Sequence, residues 1–471
     1  MRRIVVTVLV LALALAGAAI WRYDLVDRWL DRDQPAPGAD PVTVAPPEGL
    51  ELPPVTAPAP VADVLRPGAL SAPAVRKALT PYLADPDLGP HVLAAVAPLD
   101  PDDGRPVLIG SGAAIPASTT KVVTSAAALL ALGPDHTFET TVVRAGKGRI
   151  VLVGGGDPFL ARGPVAVGDD PPYPVRADVA TLAARTAASL RERGVRRVTL
   201  GYDAGLFTGP GASPQWEPDY VPDGVVSPIT ALWVDEGRPA TGFGRVADPA
   251  LDAAQAFAAA LAEHGITVTA APAPKAAAPG SPTIARVTSA PLAQIVERVL
   301  QTSDNEASEV LLRHVGLQVV GDASFSGGRR GVTQVLGEAG VDLTGDTLYD
   351  GSGLSRRNRL SPRTLLAVLQ LATSRPRLGA VVSGLPVSAF NGSLADRFSE
   401  VPAPARGRVR AKTGTLSGVT SLAGVTTDAR GRPMLFVLMA DRVAKPDETD
   451  AEVALDFAAA ALADCRCGSG A

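Results

Sequence analysis

Hydrophobic positions along the chain follow three regimes. At the start, Arg2 and Arg3 precede an uncharged apolar run from Ile4 to Ile20, with Ala16-Gly17-Ala18 near its end. A charged start, an apolar stretch and small residues form an export signal. The run is at the short limit for crossing a hydrocarbon core of roughly 30 Å, and Trp21 and Tyr23 follow where interfacial aromatics sit. A cleaved signal peptide and an uncleaved anchor both fit. The run ends at Trp21 without a clean cleavage site, which favours an anchor over residues 1–33. In the second regime, residues 34–61, Pro, Ala and Val dominate and large apolar side chains are few, as in an extended linker.

From residue 62 the pattern is that of a folded protein. A short helix is predicted over 71–83, and strands over 91–99 and 106–111 are joined by the turn Pro101-Asp102-Asp103-Gly104. A helix over 118–132 is stopped by Gly133-Pro134. The block 134–285 changes character. A hairpin, 138–144 with 149–153, turns at Gly146-Lys147-Gly148, and two helix-then-strand units follow, 177–193 with 197–200 and 249–264 with 267–270. Asp248 is a natural N-cap for the second helix, with Pro249 at its first position. This block reads as an insertion of one or two small α+β modules between two parts of a core, 62–133 and 286–471. The second core part holds predicted helices over 291–300, 306–315 and 361–374. Strands over 407–413, 419–426 and 434–440 and a closing helix over 448–463 follow. Two N-terminal and three C-terminal strands make one antiparallel sheet flanked by helices, an α+β fold.

Composition changes the picture in three places. A net charge of −4 gives no basic surface for nucleic acid. Two cysteines (Cys465 and Cys467, able to close a disulfide or to stay as thiols) and four histidines make a metal cluster improbable, and no cofactor motif appears. Only six of 44 basic residues are lysine (Lys77, Lys121, Lys147, Lys275, Lys412 and Lys445), so a lysine at a chemical position is informative.

Three short motifs carry candidate chemistry. In Ser118-Thr119-Thr120-Lys121 the three-residue spacing on a helix puts the amine on the face of the hydroxyl. Serine is a weak nucleophile until a neighbour takes its proton. A lysine does this once burial lowers its pKa, whereas arginine does not deprotonate. Alone the motif is weak, an exposed Ser/Lys helix pair being the bland alternative. Ser303-Asp304-Asn305 falls in a break between helices, where a hydroxyl and a carboxamide relay a proton and hold a substrate amide. The bland alternative is a helix cap. Lys412-Thr413-Gly414-Thr415 lies on a strand. There Gly414 lets substrate approach the edge, Lys412 supplies a fixed positive charge, and the Thr413 and Thr415 hydroxyls suit a carboxylate. The Ser118 and Thr415 amides would then face each other as an oxyanion hole.

Together the three are the motif set of penicillin-binding proteins and class A β-lactamases. Further blocks narrow the resemblance: Ile115-Pro116-Ala117-Ser118, Leu152-Val153-Gly154-Gly155-Gly156-Asp157-Pro158, Asp350-Gly351-Ser352-Gly353-Leu354-Ser355-Arg356 with Asn358, and Ala411-Lys412-Thr413-Gly414-Thr415-Leu416. In combination they resemble the D-alanyl-D-alanine carboxypeptidase/endopeptidase family, the class C low-molecular-mass penicillin-binding proteins, over about residues 65–465. The resemblance implies a serine β-lactamase/penicillin-binding-protein core with an inserted region after the first motif. It implies an acyl-enzyme on Ser118 assisted by Lys121, Ser303, Asn305 and Lys412. Peptidoglycan stem peptides are the implied substrates, β-lactams the covalent inhibitors, and the site of action lies outside the plasma membrane. Trp216 and Asp219 resemble a family segment that meets the amine of the peptide's diamino acid, the bland alternative being a loop tryptophan packed on its own domain. Gly392-Ser393-Leu394 departs from the more usual Gly-Thr-Leu.

Two other readings compete. A class A β-lactamase requires a Glu-x-x-Leu-Asn segment past the second motif, and around Glu338 the chain reads Glu-Ala-Gly-Val-Asp. A catalytically silent peptidoglycan-binding module would have no use for both Lys121 and Lys412. No Gly-x-Ser-x-Gly elbow is present.

Overall fold

A computed structural model describes residues 68–164 and 173–468; the export segment and the linker, 1–33 and 34–61, lie outside them. In chain order the core opens with α1 (Ala72–Leu83), β1 (Val92–Pro98), β2 (Val107–Ile109) and α2 (Thr120–Leu132). Next come β3 (Glu139–Gly146), β4 (Arg149–Val153), α3 (Val179–Glu192), β5 (Arg197–Asp203), α4 (Pro249–Glu263), β6 (Thr267–Val268), β7 (Ala273–Pro274) and β8 (Thr283–Thr288). The chain closes with α5 (Leu292–Thr302), α6 (Asn305–Val320), α7 (Phe325–Glu338), α8 (Pro362–Ser374), α9 (Gly379–Ser383), β9 (Arg410–Leu416), β10 (Val419–Thr427), β11 (Pro433–Ala440) and α10 (Glu448–Asp464).

Five strands form the predicted antiparallel sheet in the order β2-β1-β11-β10-β9. Its central strand β11 is a continuous apolar run because both of its faces are covered. Phe436 and Leu438 pack toward α1 and α10, while Leu435, Val437 and Met439 pack toward α2 and α5–α8. β9 is the edge strand of the sheet, met on its free side by an isolated bridge between Arg410 and Val387. The disulfide Cys465–Cys467 follows α10.

The second sheet runs β6-β5-β4-β3-β8. Both helix-then-strand units join it through parallel pairing, β4 with β5 and β5 with β6, and α3 and α4 share one apolar core against it. β8, which the sequence pattern did not single out, pairs antiparallel with β3 and leads directly into α5.

α7 was also not anticipated, for a physical reason. Its four glycines, Gly327, Gly328, Gly331 and Gly337, lower helix propensity. Packing overrides propensity here: a Cβ on Gly316 of α6 would lie 2.4 Å from the Gly328 nitrogen, so the two helices approach along a face without side chains. Among the described residues no helix is long and apolar enough to cross a membrane.

Candidate active site

Ser118 sits in a single 3₁₀ turn, Ala117–Thr119, immediately before α2. Ala117 has φ 47°, a left-handed conformation that a non-glycine residue adopts at a cost. The turn is held through the Pro116 carbonyl, which accepts the Thr119 hydroxyl at 2.7 Å and the Ser421 hydroxyl of β10 at 2.8 Å. Lys121 is the second residue of α2, and its Nζ is 2.9 Å from Ser118 Oγ. It also donates to Asn305 Oδ1 at 2.8 Å and to the Ser352 carbonyl at 2.7 Å. Lys121 is fully buried. Burial lowers its pKa to about 8, against the opposing pull of the Glu309 and Asp350 charges. With two N–H groups given to carbonyl oxygens, a neutral amine has its lone pair left for the Ser118 hydroxyl.

The second motif splits its duties. Asp304 caps α6 by accepting from the Ala307 amide at 2.9 Å, so the helix-cap alternative holds for that residue. Ser303 ends α5 in the left-handed region, φ 60°, and its hydroxyl makes no hydrogen bond among the described residues. Asn305, the first residue of α6, reaches Lys121.

Two buried carboxylates behind the lysine were not assigned roles from the sequence. Glu309, one helical turn after Asn305, accepts from the Gly351 amide at 3.0 and 3.1 Å and from the Ser352 amide at 2.7 Å. Burial and the Asp350 charge push Glu309 up to about 8, opposed by these N–H contacts. Asp350 accepts from the Gly353 and Ser355 amides, the Asn358 side chain and the Trp216 indole. These bonds fix the loop that turns the Ser352 carbonyl onto Lys121. The i,i+4 spacing of Asn305 and Glu309 was the available signal, obscured because an acidic residue on a helix usually faces water.

The third motif lies mid-strand, since β9 starts at Arg410, three residues later than the predicted start at 407. A Cβ on Gly414 would stand 2.2 Å from Ser421 Oγ and 2.6 Å from the Pro116 carbonyl. The bare backbone at Gly414 therefore makes room for the turn that carries Ser118, where the sequence had suggested room for substrate. Lys412 is fully buried and donates to the Thr413 carbonyl at 2.7 Å. Desolvation and the nearby Lys121 hold its pKa well below the usual lysine range. The Thr413 hydroxyl meets Ser393 Oγ at 2.8 Å, and the Thr415 hydroxyl donates to Glu452 at 2.7 Å. The departure at Ser393 thus keeps a hydroxyl against β9.

Trp216 and Asp219 part company. Trp216 is 8% exposed, packs edge-on against Phe325 and gives its indole N–H to Asp350 at 2.9 Å. Its ring is occupied in holding the loop. Asp219 is exposed.

A family model described as the D-Ala-D-Ala carboxypeptidase 3 (S13) family matches residues 75–242 and 238–462. The chain is 36% identical over 435 residues to carboxypeptidase DacB of Mycolicibacterium smegmatis, covering 89% of this chain and 91% of that one. It is 28% identical over 432 residues to the D-alanyl-D-alanine carboxypeptidase of Actinomadura sp. strain R39, covering 76% and 79%. Penicillin binding protein 4 (dacB) from Haemophilus influenzae shares the fold, with a TM-score of 0.65 at 21% identity over 83% of this chain and 98% of that one.

The Glu309 charge favours the protonated form of Lys121. Glu309→Gln should therefore move the rising limb of penicillin acylation against pH, expected near pH 8, to lower pH. Stopped-flow acylation rates from pH 6 to 10 measure this. An unmoved limb would mean that Glu309 only supports the loop.

Proposed function

Since the chain belongs to the D-Ala-D-Ala carboxypeptidase 3 (S13) family, we propose that Ser118 is the nucleophile through which it trims peptidoglycan stem peptides. The protein is a serine-type D-alanyl-D-alanine carboxypeptidase and a penicillin-binding protein, acting on the cell wall outside the cytoplasm. The observation that carries the assignment is the buried Lys121 amine, 2.9 Å from Ser118 Oγ and otherwise bound to carbonyl oxygens.

In this reading the neutral Lys121 takes the Ser118 proton as Oγ attacks the carbonyl carbon of the penultimate D-Ala. The oxyanion gathers on the Ser118 and Thr415 amides. Collapse breaks the peptide C–N bond, and the proton held on Lys121 passes, with the Ser303 hydroxyl as relay, to the leaving amine of the terminal D-Ala. Asn305 holds both the amine and the substrate amide. Water then attacks the ester, its proton returns through Lys121 to Ser118, and the trimmed peptide leaves. The terminal carboxylate lies on the Thr413 hydroxyl along β9, the Thr415 hydroxyl being given to Glu452. It supplies the anion that the buried Lys412 lacks, so substrate binding raises the pKa of that lysine. The same acyl-enzyme serves endopeptidase action when the leaving amine belongs to a cross-linked strand.

Around this site we assign 62–133 and 286–471 to the catalytic core, 134–285 to the insertion, whose sheet runs on through β8 to Thr288, 34–61 to a linker and 1–33 to an anchor in the plasma membrane. N-terminal sequencing of the cell-associated protein should begin at or near Met1, and a mature start around Ala19 would contradict the anchor. Penicillin should add one acyl group, mapped by peptide mass spectrometry to Ser118. Lys121→Arg should keep the melting temperature and lose acylation, because arginine keeps the charge and gives no base. An adduct elsewhere, or wild-type rates in Lys121→Arg, would overturn the assignment.

We read Asp219 as the partner of the ammonium of the peptide's diamino acid, a role favoured by its exposure. Asp219→Asn should lower kcat/KM about tenfold to a hundredfold for a peptide with that amine free. Turnover of the acetylated peptide and penicillin acylation should hardly change. Equal losses on all three would assign Asp219 to the fold instead.

A further inference from the structure

Behind the Ser303-Asp304-Asn305 turn lies a cavity of about 480 Å³, walled on one side by α5 and the start of α6 and on the other by the segment Arg176 and residues 225–245. It is polar, and its charges divide unevenly. Glu306 is paired with Arg245 at 2.6 Å, Glu236 with Arg238, and Asp235 with Arg162 at 3.5 Å; Asp304 is engaged as the α6 cap. Arg176 and Arg298 remain. Both are half-buried, and neither guanidinium makes an ion pair or hydrogen bond among the described residues; Arg176 lies over the Phe159 ring at 5.3 Å, and its charge reaches the buried Asp157. Two guanidiniums from different parts of the chain are held at one cavity by a specific tie. The Tyr173 hydroxyl donates to Glu297, the neighbour of Arg298 on α5, and Ser383 also donates to Glu297 at 2.5 Å.

Half-buried guanidiniums that make no ion pair lose hydration without gaining a partner, an arrangement that an arriving carboxylate converts to charge-assisted, fork-like hydrogen bonds. Because the cavity wall includes residues 303–306 and none of residues 412–415, it does not meet the carboxylate assigned above to β9. We propose that this cavity is a second subsite, in which Arg176 and Arg298 bind a carboxylate of the stem peptide away from the scissile C-terminus. The inference rests on the functional reading of Ser118. It makes the enzyme a sensor of whether the acidic residue of the stem peptide is free or amidated.

The test uses the full-length protein and two pentapeptides ending in D-Ala-D-Ala. In one the acidic residue has a free α-carboxylate, and in the other that group is amidated. Wild type should prefer the free acid. Arg298→Gln and Arg176→Gln should each lower kcat/KM for the free acid about tenfold to a hundredfold. They should leave turnover of the amidated peptide, penicillin acylation and the melting temperature unchanged. Arg298→Lys, which keeps the charge, should retain part of the preference. Equal losses on both peptides, or none on either, overturn the subsite while leaving the function of Ser118 intact. A wild-type protein that releases no D-Ala from either peptide and takes no penicillin overturns both.

Discussion

The Lys121 amine is the point on which the site depends. A primary amine removed from water prefers to lose its proton, and here every group within hydrogen-bonding distance is a neutral oxygen: Ser118 Oγ, Asn305 Oδ1 and the Ser352 carbonyl. The carboxylates that would stabilise an ammonium, Glu309 and Asp350, are kept one layer back, where they accept backbone N–H groups of the loop. Their charges still reach the amine and hold its pKa at about 8. A carboxylate in direct contact would lock the lysine in its charged form, and a fully apolar shell would leave it with nothing to orient it.

Four separate segments must converge for this to hold. The strained turn at Ala117 presents Ser118, α6 brings Asn305, the loop from Asp350 brings a carbonyl, and β9 closes the site from the edge of the sheet. Each junction rests on a close approach. Gly414 admits the 116–119 turn against β9, and the glycine face between α6 and α7 seats the helix that carries Asn305 and Glu309. The insertion contributes as well, since Trp216 gives its indole N–H to Asp350 and thereby steadies the loop behind the lysine.

Much of this was legible in the sequence because the relevant signals are local. The antiparallel sheet followed from short apolar runs set off by turn residues such as Pro101-Asp102-Asp103-Gly104. The pairing of Ser118 with Lys121 followed from helical spacing. What escaped was long-range. The α7 helix went unread because its glycines, poor helix formers, serve packing against α6. Glu309 and Asp350 were given no role because only the fold buries them, and Trp216 stayed open between a substrate contact and a packed loop tryptophan because its partner Asp350 is 134 positions away in the chain. The burial of Lys412 beside Lys121 is likewise a tertiary fact.

The central claim is that Lys121 is a base of nearly neutral pKa, and it is open to direct titration. With lysine labelled at the Cε carbon, the six lysine signals can be followed by NMR between pH 6 and 12, with Lys121→Arg assigning the resonance. The account predicts that the Lys121 signal titrates with a midpoint near 8, well below the exposed lysines. A midpoint at the ordinary value near 10.5 would contradict it, because Ser118 would then have no base at physiological pH.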